Sequence, residues 1–205
     1  MARAFAVLLL AAGFGATAGL HAWAMSCVAV DVAIARGTHE PGYLGSAVGD
    51  PLYDRLWHAL SVSSQAYRVS YPADLLDPAS VSRGTQDMTA HVLQQAAICP
   101  EQRFVLVGFS QGAVVVHGVL GTETVTTLGG IYSLPVGLES RVAAVLLFGD
   151  PVRRLGGNVP DLYSARTGNY CTSGDPICGG GIDPNAHTNY WWALWPATEF
   201  AECRV

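Results

Sequence analysis

The stretch from Phe104 to Gly118 restricts what this chain can fold into more than any other. Phe104 to Val107 are apolar without interruption, the pattern of a strand buried on both faces. They run directly into Gly108-Phe109-Ser110-Gln111-Gly112, and an apolar run of helical character follows. This is G-x-S-x-G between a strand and a helix. So sharp a turn admits only small residues at Gly108 and Gly112. It lifts the Ser110 hydroxyl clear of the sheet and leaves the Gln111 N–H where an oxyanion would form. The helix start adds its partial positive charge at the same point. The bare pattern also occurs in ordinary Gly-rich turns, so its meaning comes from the flanking strand and helix. A serine hydroxyl keeps its proton at neutral pH. As a nucleophile Ser110 needs a base, and the base needs an orienting acid.

Around that stretch, strands alternate with helices. Val28 to Ala35 reads as a first strand broken only by Asp31, followed by a turn-rich loop through Gly42. Asp50-Pro51 marks a helix start, and Leu52, Leu56, Trp57 and Leu60 give the helix (51–62) one apolar face. Ala66 to Tyr71 is a short strand, Ala73 to Ser80 a loop, and Ser82 to Ile98 a helix with Met88, Val92 and Ala96 on one stripe. Thr122 to Glu139 is mixed. Val142 to Phe148 is a buried strand closed by Gly149-Asp150-Pro151, and Leu162 to Ala165 is expected to be the last strand. Tyr170 to Pro184 is a Gly-rich loop. Ala186 to Trp195 is expected to be helical, with Tyr190, Trp191 and Leu194 packing inward. The alternation predicts an α/β fold: a three-layer α/β/α sandwich around a central, mainly parallel sheet. The site of such a sheet lies beyond the C-terminal strand ends, where Thr38, Ser110 and Asp150 fall.

The first residues read as a secretion signal. Arg3 is followed by an apolar, charge-free run to Leu20, and Ala22-Trp23-Ala24 fits the small-x-small cleavage rule. Residues 1–24 are therefore expected to be a signal peptide and 25–205 a single catalytic domain. The run is short and Gly-interrupted for a membrane anchor, and Ala24-Met25-Ser26 is a poor match to a lipoprotein signal at Cys27. The 11 basic residues are outnumbered by 16 acidic ones, which argues against nucleic acid or an anionic membrane as a main partner. Secretion would put all 5 Cys in an oxidising compartment. Cys171 and Cys178 are close enough to close a small loop, and Cys27 and Cys99 each precede a strand. The sequence leaves other pairings open, with Cys203 as the odd residue. There is no C-x-x-C pair and no His beside the Cys, so no metal site and no cofactor is expected. No oligomerisation signal is present, and a monomer is expected.

Two residues must complete the serine. His58 and His91 fall inside helices as surface or packing residues. His117 lies two turns into the Ser110 helix and cannot fold back, and His39 sits in the loop after the first strand. His187, downstream of the Gly-rich loop, gives the order Ser, acid, His found in hydrolases built on such a sheet. The acid is one of Asp150, Asp161, Asp175 and Asp183. Asp175 lies between Cys171 and Cys178, where a disulfide would hold one carboxylate rigidly. Asp150 is the rival, ending a strand, with a turn-capping role as its plain alternative.

These residues together resemble the cutinases, secreted serine esterases with an α/β-hydrolase-type sheet. The resemblance covers nearly all of the chain after the signal. It rests on Ala35-Arg-Gly-Thr38, Tyr71-Pro-Ala73, Gly108-Phe-Ser-Gln-Gly-Ala113, Phe148-Gly-Asp-Pro151, the C-x-x-G-D-x-x-C loop Cys171–Cys178, and His187. Ser82-Arg-Gly-x-Gln-Asp-Met88 is similar to the actinobacterial, mycobacterial-type branch. The resemblance implies Ser110 as nucleophile, Asp175 as acid and His187 as base, with Gln111 and Thr38 as oxyanion donors. It also implies the pairings Cys27–Cys99 and Cys171–Cys178. His39 inside the oxyanion loop and the extra Cys203 depart from the family pattern.

The expected reaction is hydrolysis of carboxylic esters, from short or medium acyl esters and lipids to cutin-like polyesters, through an acyl-enzyme. No segment is suited to a large lid, so an open site is expected, with Leu75, Leu76 and Ile182 as an apolar rim. Two alternatives stand beside this reading. One is a phospholipase or thioesterase of the same fold acting on envelope lipids. The other is an inactive secreted binding or antigen-like protein.

Overall fold

Val30–Ala35 forms β1 because all its residues but Asp31 are apolar, on both sides of the pleat, as suits a strand between two helical layers. The computed structural model describes residues 27–205; the expected signal peptide, 1–24, lies outside the described residues. After β1 come α1 (Gly49–Ala59), β2 (Ser64–Arg68), α2 (Ser80–Ile98), β3 (Arg103–Phe109) and α3 (Gln111–Leu120). Then follow α4 (Glu123–Thr126), β4 (Val142–Phe148), α5 (Pro151–Arg154), α6 (Asp161–Ser164), β5 (Thr167–Tyr170) and α7 (Trp191–Glu202). The five strands of the described residues pair in the order β2-β1-β3-β4-β5, every pair parallel.

The sheet is covered on both faces, so alternate residues of one strand enter different cores. Val32 and Ile34 of β1 and Val105 and Val107 of β3 meet Leu52 and Leu56 of α1 and Tyr190, Leu194 and Ala197 at α7. Ala33, Phe104 and Leu106 face the other way, onto Met88 and Val92 of α2 and Val115, Val116 and Val119 of α3. This is the three-layer arrangement the alternation of elements predicts. The strand order reverses between β1 and β3, which pair over Val30↔Arg103 to Ala35↔Gly108. At such a switch point the loops leaving two neighbouring strands diverge and open a crevice.

Asp31, the charged residue inside β1, is fully buried and paired: it accepts from His91 Nε2 (2.9 Å) and Gln65 Nε2 (2.7 Å). A buried carboxylate needs such partners.

Two disulfides are present, Cys27–Cys99 and Cys171–Cys178, while Cys203 is free and exposed. Among the described residues no helix is long and apolar enough to cross a membrane.

The structure corrects the reading of the C-terminal third. Leu162 to Ala165 is not the last strand; Asp161–Ser164 is a short helix, and the strand is Thr167–Tyr170, whose only large apolar residue is Tyr170. An edge strand needs little apolar sequence, because one neighbour supplies all its ladder bonds. The expected helix from Ala186 divides into a 3₁₀ turn, Pro184–Thr188, and α7. Tyr190 and Leu194 are buried as expected, but Trp191 is 73 % exposed.

Candidate active site

Ser110 sits between β3 and α3 with φ 54° and ψ −118°, a backbone region that L-residues rarely occupy. The neighbouring glycines explain how the turn is tolerated. A Cβ on Gly112 would come within 1.9 Å of the Ala35 carbonyl oxygen, and one on Gly108 within 2.4 Å of the Gly112 carbonyl oxygen. The Ser110 N–H donates to the Phe148 carbonyl (2.9 Å), which fixes the turn to β4. The first N–H groups of α3, beginning at Gln111, have no partner within the helix.

The 3₁₀ turn after the Gly-rich loop delivers His187 to this serine. Its Nε2 lies 2.8 Å from Ser110 Oγ, and its Nδ1 lies 2.9 Å from Asp175 Oδ2. The imidazole rests against two surfaces. Phe109 has its ring centroid 5.1 Å away, and Gly149, at φ 56°, lies so close that an added Cβ would be 2.8 Å from His187 Cε1. Asp175 is fully buried. Its Oδ1 accepts from the Ile177 N–H (2.7 Å), and its Oδ2 accepts from the Tyr190 hydroxyl (2.6 Å) as well as facing His187. Burial pushes the Asp175 carboxyl up, but hydrogen bonds from Tyr190, His187 and Ile177 outweigh it and hold the group below the usual carboxylate range. The ionised form can therefore orient the Nδ1–H tautomer, leaving Nε2 free to accept the serine proton. The Tyr190 phenol, buried and bonded to a carboxylate, is pushed well above its ordinary value and stays a donor.

The loop after β1 carries Thr38 to the rim of the same crevice, where it lines the cleft beside Ser110. Several contacts brace this loop. Glu40 accepts from the N–H groups of Gly37 (2.6 Å) and Ala47 (2.7 Å); burial raises its carboxyl despite these bonds. Arg36 donates to the carbonyls of Tyr71 and Pro72, and the Tyr71 hydroxyl donates to the Arg36 carbonyl. His39, at φ 50°, donates its N–H to the Ala73 carbonyl (2.8 Å) and places Nε2 3.3 Å from Asp74 Oδ1. The loop around Asp74 also grips the other side of the crevice. The Gln111 side chain donates to the Asp74 carbonyl and accepts from the Ser80 hydroxyl, each at 3.2 Å. Thr38 and Gln111 are thus carried by segments braced through one loop.

The cleft encloses about 550 Å³ and opens at Ser110 and His187. Leu75 lines it, but Leu76 and Ile182 do not; both point to solvent, 90 % and 96 % exposed. Ile177, inside the Cys171–Cys178 ring, supplies apolar lining instead. Asp150, the rival carboxylate, faces away from the cleft toward His117. Tyr190, Glu40, Ser80 and the Gln111 side chain are site residues that sequence reasoning missed as such. Only Gln111 stood within a recognisable motif, and there for its amide.

A parallel, doubly covered sheet with a serine on a positive-φ turn after its middle strand is an α/β-hydrolase fold. Residues 26–205 match the Cutinase family model, and the chain belongs to that family. Carboxylesterase Culp1 of Mycobacterium tuberculosis is 38% identical over 182 residues, covering 84% of this chain and 78% of the relative. Phospholipase Culp4 of the same organism is 36% identical over 191 residues, covering 89% and 83%. Among solved structures, the cutinase of Trichoderma reesei, held with a phosphonate inhibitor, is 33% identical at a TM-score of 0.70 and covers 85% of this chain and 75% of that one. Family membership makes this chain a carboxylic ester hydrolase.

Proposed function

We propose that this is a secreted serine esterase acting through Ser110, His187 and Asp175. The observation that carries the reading is the unbroken line from Ser110 Oγ to His187 Nε2 (2.8 Å) and from His187 Nδ1 to Asp175 Oδ2 (2.9 Å), opening on a cleft. Residues 1–24 would be removed on export, leaving 25–205 as one catalytic domain. The two disulfides fit an oxidising destination.

In the acylation step Ser110 Oγ attacks the ester carbonyl as His187 Nε2 takes its proton. The oxyanion is held by the Gln111 N–H and by Thr38, through its N–H and its hydroxyl. His187 then returns the proton to the departing alcohol. Water repeats the sequence on the acyl-enzyme, with His187 again as base and the carboxylic acid as product. Asp175 keeps the imidazole in the required tautomer and stabilises its charged form. Mixed apolar lining and an open mouth suit dissolved or loosely aggregated short- and medium-chain acyl esters. A phospholipase acting on envelope lipids is the second reading, favoured by the similarity to Phospholipase Culp4.

Hydrolysis of p-nitrophenyl esters of graded chain length tests the proposal. The expected result is turnover that falls at least about 10⁴-fold in Ser110→Ala. Wild type no faster than Ser110→Ala would leave only a binding role. Parallel assays on phosphatidylcholine vesicles distinguish the second reading.

A further inference from the structure

Gly149-Asp150 closes the strand whose end supports the His187 ring, yet the Asp150 carboxylate turns into the core. It is fully buried and carries three bonds. Oδ2 accepts from His117 Nε2 (3.0 Å) and Asn169 Nδ2 (2.7 Å), and Oδ1 accepts from the Val152 N–H (2.9 Å). Burial pushes this carboxyl up, but the bonds from His117, Asn169 and Val152 hold it below the ordinary carboxylate range.

The two side-chain partners, His117 and Asn169, belong to elements that lead to or from the site. His117 is on α3, the helix that begins directly after Ser110. Asn169 is on β5, which runs into the disulfide ring holding Asp175. Gly149, one residue before the carboxylate, is the floor under the His187 imidazole, and its N–H donates to the Tyr170 carbonyl of β5 (3.1 Å). The His117 ring is itself fixed. Its Nδ1 lies 2.9 Å from Thr122 Oγ1, and the Thr122 N–H donates to the His117 carbonyl (2.9 Å).

We propose that Asp150 and His117 are positioning residues: a buried tie that sets the separation of Ser110, His187 and Asp175, on the reading of those three as the catalytic group. Capping the four-residue α5 uses only the Val152 bond and does not call for a buried histidine and an asparagine. Buried polar pairs of this kind contribute little net stability compared with apolar packing. What they do supply is direction. A small shift at Gly149 would carry the imidazole with it, and a displacement of about 1 Å at a reacting group can lower turnover about a hundredfold.

The test uses the purified chain and its variants on p-nitrophenyl butyrate, with kcat expressed per active site titrated by a phosphonate ester. The His187 Nδ1–H proton resonance is recorded alongside. His117→Met should lower kcat per titrated site about tenfold with KM unchanged, and should move that resonance. His117→Gln, whose amide can still donate to Asp150, should recover most of the loss. Asn169→Ala, a milder cut, should lower kcat about threefold. The tie is overturned if kcat per titrated site stays within about twofold of wild type in both weakened variants, or if KM changes in step with kcat. Should His117→Met fail to fold, Asn169→Ala decides by the same criteria. Wild type that the phosphonate does not label would overturn the catalytic reading itself. Labelled wild type with unaffected variants would overturn only the tie.

Discussion

Two aspartate–histidine pairs lie close to one strand end, and they differ in what surrounds the hydroxyl that the far nitrogen of each imidazole meets. In the pair at the cleft, Asp175 is buried while the His187 side chain keeps 17% of its surface, and Nε2 faces the Ser110 hydroxyl. In the core pair, Asp150 and His117 are both shut off, and Nδ1 faces the Thr122 hydroxyl. Carboxylate, imidazole and hydroxyl occur in the same order, at similar distances, in both. A proton can be passed usefully only where the hydroxyl opens on space for a substrate and on donors for the charge it develops. The core assembly has neither. On the two readings proposed above, the same three groups serve chemistry in one place and positioning in the other.

The largest effect should separate the two carboxylates. Asp175→Asn should lower kcat about 10⁴-fold by releasing the wrong imidazole tautomer. Asp150→Asn should lower it only about tenfold, while costing about 1.5–3 kcal/mol of stability through lost charge-assisted bonds. Ester kinetics and thermal melts on both variants make the comparison, and a larger kinetic loss at Asp150 would reverse the assignment. Next in size is Gly149→Ala. Its Cβ would strike the His187 ring and sit at a backbone angle that favours glycine. About a hundredfold loss of kcat is expected, with phosphonate labelling slowed to match.

The smallest effect concerns acid. The Asp175 carboxyl lies below its ordinary value in the fold, so its ionised form contributes stability above the unfolded pKa. That contribution is lost as pH falls through the folded value. Tyr190→Phe removes a bond to the charged form and moves the folded pKa back up. The acid-linked loss of melting temperature, which in both proteins begins at the unfolded pKa, should therefore be smaller in the variant and level off at a higher pH than in wild type, with kcat at neutral pH reduced only severalfold. An unchanged melting profile would show that Tyr190 packs against Asp175 without controlling its charge.

The residues facing the cleft were more legible in sequence than those behind them. Ser110 and the Cys171–Cys178 ring announce themselves because a sharp turn and a closed loop demand particular residues at fixed spacing. The buried strands are legible for a related reason: β1, apart from Asp31, β3 after Arg103, and β4 are apolar on both faces. β5 is hidden because an edge strand such as Thr-Gly-Asn-Tyr carries almost no hydrophobic signal. The bond from Tyr190 to Asp175 and the tie from His117 to Asp150 join positions 15 and 33 residues apart. Nothing local in composition marks such partners, since only the folded sheet brings them together. Helix periodicity gives a stripe without its absolute direction, which is why it points Trp191 inward; the stripe that packs is Ala193, Leu194 and Ala197.

The backbone at Ser110 has a consequence for how this protein drifts under mutation. An L-residue held at φ 54° sacrifices roughly 1–3 kcal/mol that a glycine would recover. A library screened only for heat resistance should thus drain the serine, the proposed nucleophile, out of the population. Durability and turnover pull this single position in opposite directions, and any effort to harden the protein must keep the hydroxyl under separate selection.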